Sequence, residues 1–168
     1  MKYFKISALL FSLSVLTGCG NYGFTGISLP AGTTTYQVNY FQNDAPLVEP
    51  GLERTFTNAL ADLIQNQTSL QLVTSGGDIT YEGEITEYRI SPTTATADIT
   101  AAQNRLTIGV RVRFYDKNNP DGDVNQTFSF FYDYPGNVQL VGAQKDAAIS
   151  EILERITQDI LNATLGKW

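Results

Sequence analysis

Leu106, Ile108, Val110, Val112 and Phe114 alternate without a break against Arg105, Thr107, Gly109, Arg111 and Arg113. A two-residue period over this length belongs to a strand with one face buried and the other toward water. That strand constrains its surroundings, because a one-faced sheet needs neighbours and a second layer over its apolar side. Downstream, Asn118-Asn119-Pro120-Asp121-Gly122 is a turn cluster. Phe128, Phe130, Tyr132 and Tyr134 then share one face of a returning strand, which predicts a hairpin with these aromatics in the core. Phe131 falls on the opposite face, exposed and open to a partner. Upstream, Ile79, Tyr81 and Ile85 oppose Thr80, Glu82, Glu84 and Thr86 in a strand reaching Tyr88 or Ile90. Residues 91–102, rich in Ser, Thr, Ala and Pro, read as a loop of low local order. Two more strands precede these. Thr35 to Phe41 places Tyr36, Val38 and Tyr40 on its apolar side until Asn43-Asp44-Ala45-Pro46 breaks it, and Leu70 to Val73 ends at Gly76-Gly77.

The second layer comes from two helical stripes. Leu52, Phe56, Leu60, Leu63 and Ile64 recur at three- and four-residue spacing over about 50–67, with Pro50 suited to a first turn. Ile149, Ile152, Leu153, Ile156, Ile160 and Leu161 form the other stripe, with Glu151, Glu154, Arg155 and Asp159 facing out. Each stripe must be buried against the single apolar face of the sheet. The expected fold class is α+β: a two-layer sandwich of two helices on a mixed, mostly antiparallel sheet of about four to five strands.

The first residues carry a different signal. Lys2 and Lys5 precede the apolar run Ile6 to Leu16, and Leu16-Thr17-Gly18-Cys19 closes it. The run is too short for a permanent membrane span and reads as a signal peptide, 1–18. Its end is a lipobox: small Thr17 and Gly18 admit a lipoprotein-specific peptidase, and the Cys19 thiol takes a diacylglyceryl group. Each buried methylene contributes about 0.8 kcal/mol, and a second acyl chain turns marginal binding into stable anchoring. Residues 19–34 are then a lipidated tether, of which Phe24, Ile27 and Leu29 are apolar enough to lie on the domain, and 35–168 form the single folded domain. Gly20-Asn21-Tyr22-Gly23 carries no charge. It lacks the acidic residue that retains some lipoprotein chains at the inner membrane, so the expected address is the outer membrane.

Charge and composition exclude several function classes. Removing Lys2 and Lys5 leaves nine basic residues against 17 acidic ones. Nucleic acid is therefore not an expected partner, since phosphate binding needs a basic footprint. The chain has no histidine and Cys19 is its sole cysteine, so the usual nucleophilic triads and zinc sites have no residues to build on. No catalytic residue, metal or cofactor is expected. Glu82 and Glu84, two apart on a strand, lie about 6.7 Å apart along it, a spacing compatible with inverting glycoside hydrolysis. Thr80 and Thr86 continue the same polar row, and simple amphipathic alternation accounts for the pair. Arg105, Arg111 and Arg113 share one polar face, with Lys117 following. Guanidinium forks bind phosphate or carboxylate bidentately. This face is thus the candidate ligand or partner contact, and cross-strand pairing with Glu82 and Glu84 is the structural alternative. Gly109 leaves a gap on that face for a bulge or a close backbone.

Several stretches carry a resemblance: Gly18 to Phe24, Tyr40-Phe41 through Ala45 to Val48, Phe56 to Leu60, Gly77 to Ile85, and Asn104 to Thr107. Together with the element order, they resemble the LptE family, the lipopolysaccharide-assembly lipoproteins of Gram-negative outer membranes. The resemblance implies a non-enzymatic, two-helix domain that plugs the lumen of an LptD-type β-barrel translocon. It also implies help with folding that barrel and with delivering lipopolysaccharide to the outer leaflet. Some family members bind lipopolysaccharide through basic residues. The Arg105, Arg111 and Arg113 face is this chain's own candidate rather than a family site. The alternative is an envelope ligand-binding or scaffold lipoprotein without a barrel partner.

Overall fold

A computed structural model describes residues 27, 29–93 and 102–166. Cys19, Phe24, the leader and residues 94–101 lie outside the described residues. Among the described residues, six strands and two helices follow one another as β1 Thr35–Val38, β2 Gln42–Asn43, α1 Leu52–Gln67, β3 Gln71–Leu72, β4 Ile79–Thr93, β5 Gln103–Asp116, β6 Val124–Pro135 and α2 Gly142–Leu165. A 3-10 turn at Pro120–Gly122 closes the β5–β6 hairpin. The sheet runs β3-β1-β4-β5-β6, with β2 also paired to β4. β1 is parallel to β3 and β4, and β2 is parallel to β4. The β4–β5 and β5–β6 pairs are antiparallel. The expected two-layer α+β fold is the one observed.

Both apolar stripes lie on the sheet's inner face. Leu52, Phe56, Leu60 and Ile64 of α1 are buried, as are Ile149, Ile152, Leu153, Ile156, Ile160 and Leu161 of α2. Each such side chain contributes about 1.5–3 kcal/mol when fully removed from water. Lys145 bonds to Glu49 at the start of α1, and Gln67 to Gln158 near its end. The helices therefore run side by side in the same direction. Ile27 and Leu29 pack against the core, as their apolar character predicts, and Ile27 bridges to Gly166.

Four local departures have physical causes. The sheet has six strands rather than four to five because Gln42 and Asn43 form their own short pair with Glu84 and Ile85. The first strand does not keep one phase to Phe41. It stops at Val38, and beyond the bend Tyr40 is 60% exposed while Phe41 is fully buried. Phe41 sets its ring edge-on to Phe56, centroids 4.8 Å apart. Helix α1 begins at Leu52, one turn residue after Pro50, with Gly51 at φ 83 before it. Residues 91–93 extend β4, so the first three residues of the expected loop are paired strand, while 94–101 lie outside the described residues and β5 begins at Gln103.

The long strand β4 changes phase once. Ile85 pairs with Val110 and Glu87 with Gly109, leaving Thr86 as a bulge residue. Odd residues face the core before the bulge (Ile79, Tyr81, Ile85), and even Tyr88 does so after it. A one-residue insertion reverses the alternation in this way. Gly109 sits opposite the bulge, where an added Cβ would lie 3.1 Å from the Glu87 Cβ. The gap left by this glycine is the one the bulge fills.

Candidate functional site

The outer sheet face carries the candidate residues. Its position follows from alternation: helices take the inner face, so Arg105, Arg111 and Arg113 project outward from β5. Glu82 and Glu84 project beside them from β4, in register with Arg113 and Arg111 respectively. The Arg113 Nε donates to Glu82 Oε1 at 3.1 Å and its NH1 donates to Glu84 Oε2 at 2.9 Å. These two carboxylates push the Arg113 guanidinium pKa up, Glu82 contributing most. Arg111 makes a looser contact, NH1 to Glu84 Oε1 at 3.9 Å, and its side chain is 53% exposed. Asn39 adds a bond from β1's end to Glu82 Oε2 at 3.3 Å.

Arg105 belongs to a separate cluster. Six residues of strand put it about 20 Å from Arg111. Its Nε and NH2 donate to the two oxygens of Asp133 at 2.7 and 2.8 Å, a bidentate fork. The guanidinium carbon lies 3.5 Å above the Phe131 ring centroid. Its hydrogen bonds hold the Asp133 carboxyl below the usual carboxylate range. The structure therefore brings Arg111 and Arg113 together with Glu82 and Glu84, and places Arg105 apart. Cross-strand pairing accounts for Arg105 and Arg113, while Arg111 keeps the freest guanidinium of the three.

A 260 Å³ hollow opens beside the ladder, lined by Asn39, Tyr40, Gln42, Asp44, Glu84 and Arg113 among others. Sequence reasoning missed Asn39, Asp44 and Asp133. Asp133 and Asn39 each had a signal, an outward phase on β6 and on the first strand; Asp44 depends on how β2 bends past β4. A second, larger hollow of 520 Å³ lies between the helices, where Leu52, Ala59, Leu63, Ile149 and Leu153 supply apolar walls. Phe131 is 41% exposed, as its phase predicts, although Arg105 covers one side of its ring. Among the described residues, no group of three or more acidic, Cys or His side chains is arranged to hold a metal. Among the same residues, no helix is long and apolar enough to cross a membrane.

Two helices sealing one face of a six-stranded sheet, with paired charges across the other, define a two-layer α+β domain with an open polar face suited to contact. The chain belongs to the LptE family, described as lipopolysaccharide-assembly, whose model matches residues 33–164. No curated protein matches the sequence. Solved structures share the fold at low identity. Protein XCC0632 from Xanthomonas campestris has a TM-score of 0.54 at 10% identity, covering 83% of this chain and 90% of its own. The hypothetical protein CT253 from Chlamydia trachomatis has a TM-score of 0.51 at 11% identity, covering 79% and 98%. The uncharacterized lipoprotein B from Nitrosomonas europaea has a TM-score of 0.50 at 15% identity, covering 86% and 88%.

Proposed function

We propose that this chain is an outer-membrane lipoprotein, anchored through Cys19, that plugs an LptD-type β-barrel translocon and assists its assembly. In that role it supports the transport of lipopolysaccharide and its insertion into the outer leaflet. The observation that carries the reading is the LptE match, which spans the six described strands, α1 and all but the last residue of α2. Supporting it is the cationic signal run that ends in Leu16-Thr17-Gly18-Cys19. Residues 19–34 then act as a lipidated tether and 35–168 as one domain facing the periplasm and the barrel lumen. Lumen walls of large barrels are polar, and the ion-paired sheet face offers a polar partner surface.

Arg111 is the residue of this face best placed to bind a phosphate or carboxylate, because its guanidinium has one long contact and is half exposed. Arg113 and Arg105 would bind such a group only by releasing Glu82, Glu84 or Asp133. The acidic balance of the chain fits a plug whose partner supplies positive charge.

The test is a mild-detergent pulldown of the tagged full-length protein from membranes, with mass spectrometry of what co-purifies. A large outer-membrane barrel at about one-to-one supports the proposal. Recovery of the lipoprotein alone, where other barrel complexes stay intact, refutes it and favours a scaffold or ligand-binding lipoprotein without a barrel.

A further inference from the structure

Among the described residues, strand β6 forms one edge of the sheet and is 12 residues long, whereas β3 at the other edge has two. A long uncovered edge offers unpaired N–H and C=O groups to any other strand, and folded proteins usually block such an edge with charge, proline or a cover. From Val124 to Tyr132, β6 has no charged residue and no proline. Something else must protect it.

Phe130 and Phe131 are consecutive, so their side chains leave the strand on opposite faces. Their rings are nonetheless nearly parallel, 18° apart, with centroids separated by 5.5 Å. A strand backbone between two rings would hold them about 7 Å apart, two contacts of about 3.5 Å each. The rings therefore meet beyond the strand, and they do so on its open side, because β5 fills the other. Arg105 lies 3.5 Å over the outer face of this pair, fixed by its fork to Asp133. Arg155 of α2 lies 5.7 Å from the Phe130 centroid on the inner side, with Asp159 at 3.6 Å. Asp133, Arg105, Phe131, Phe130, Arg155 and Asp159 thus form one continuous stack. It passes from the outer sheet face, around the β6 edge, to the helix layer.

We infer that this stack is a guard closing the β6 edge to strand addition, and that the partner it excludes is the β6 edge of a second copy of this chain. Two copies meeting antiparallel across a two-fold axis would oppose the same uncharged segment to itself, without like-charge repulsion. Their inner rows of Phe128, Phe130, Tyr132 and Tyr134 would merge into one apolar strip. An incoming strand must lie about 4.8 Å from β6, in space the two rings occupy. The inference stands whether or not a barrel is the partner.

The experiment compares full-length protein with Phe131→Ser and Arg155→Ser variants in mild detergent, by light scattering across a concentration series. The expected result is about tenfold tighter self-association in each variant, equivalent to about 1.4 kcal/mol. Adding Thr127→Lys, a charge on the outward side of the same strand, should reverse it. Arg155→Ser opens the stack from the helix without touching the sheet, so it carries the test should Phe131→Ser fail to fold. Variants as monomeric as the parent overturn the inference. Association that Thr127→Lys leaves unchanged also overturns it, because pairing along β6 would then not be the cause.

Discussion

Gly83→Ala probes a close approach of two strands in the core. Gly83 lies on the core side of β4, opposite Val112 of β5. A Cβ there would stand 2.8 Å from Cε1 of Phe41 and collide outright with the backbone oxygen of Arg111. Phe41 is fully buried and packs edge-on to Phe56, so its ring has nowhere to retreat. The Arg111 oxygen is part of the central ladder, and no rotamer change relieves that collision. Overpacking of a core costs typically 1–3 kcal/mol, and a backbone collision belongs at about 3 kcal/mol. The restriction of the unfolded chain by alanine returns about 0.4–1 kcal/mol. A net loss of about 2 kcal/mol, with a urea slope near 2 kcal/mol per molar, lowers the unfolding midpoint by about 1 M. Urea unfolding followed by circular dichroism measures this. Gly109→Ala is the control, since its nearest neighbour is the Glu87 side-chain Cβ at 3.1 Å and the site faces outward beside a bulge. The reasoning fails if the two variants lose equal stability, or if Gly83→Ala shifts the midpoint by less than about 0.2 M.

Other expectations follow from particular bonds. Asp78 accepts hydrogen bonds from the Thr34 and Thr35 backbone N–H groups and the Thr34 hydroxyl, which hold its carboxyl down to about 2. Its stabilisation is complete above the ordinary carboxylate value near pH 4 and fades as pH falls toward 2. Asp78→Asn should flatten the acid limb of stability against pH, and an unchanged acid limb would refute the assignment. Tyr81→Phe removes a buried hydroxyl bonded to Thr164 Oγ1 at 2.9 Å; it should cost about 1 kcal/mol in thermal or urea unfolding, and a neutral change would show the bond is not formed. Arg111→Ala should leave the urea midpoint unmoved, given its long 3.9 Å contact. The same variant should lower capture of the barrel or of lipopolysaccharide if this face is the contact, and unaltered capture would remove Arg111 from it.

Alternation in β5 and the two helical stripes were enough to place the core, because burial on one face leaves a periodic record in the chain. The same periodicity put Arg105, Arg111 and Arg113 on the outer face and Phe131 opposite the aromatic row. Where the record has a break, reading it needs the partner strand. Ile85 and Tyr88 are both buried, yet no single phase joins them, and the bulge at Thr86 is visible only beside Gly109. Likewise, Tyr40 and Phe41 exchange roles because the chain bends after Val38 to lay β2 along β4.

The site divides in the same way. Residue types and spacing determined that guanidinium and carboxylate groups would share a face. Which arginine pairs with which acid was decided by register, a property of two strands and not of one. Register gave Arg113 to Glu82 and Glu84, left Arg111 half free, and sent Arg105 to Asp133 on the far strand. The stacking of Phe130 on Phe131 is wholly tertiary. Local sequence places those rings on opposite faces, and they meet around the strand because β6 is an edge, with Arg105 and α2 close enough to hold them there.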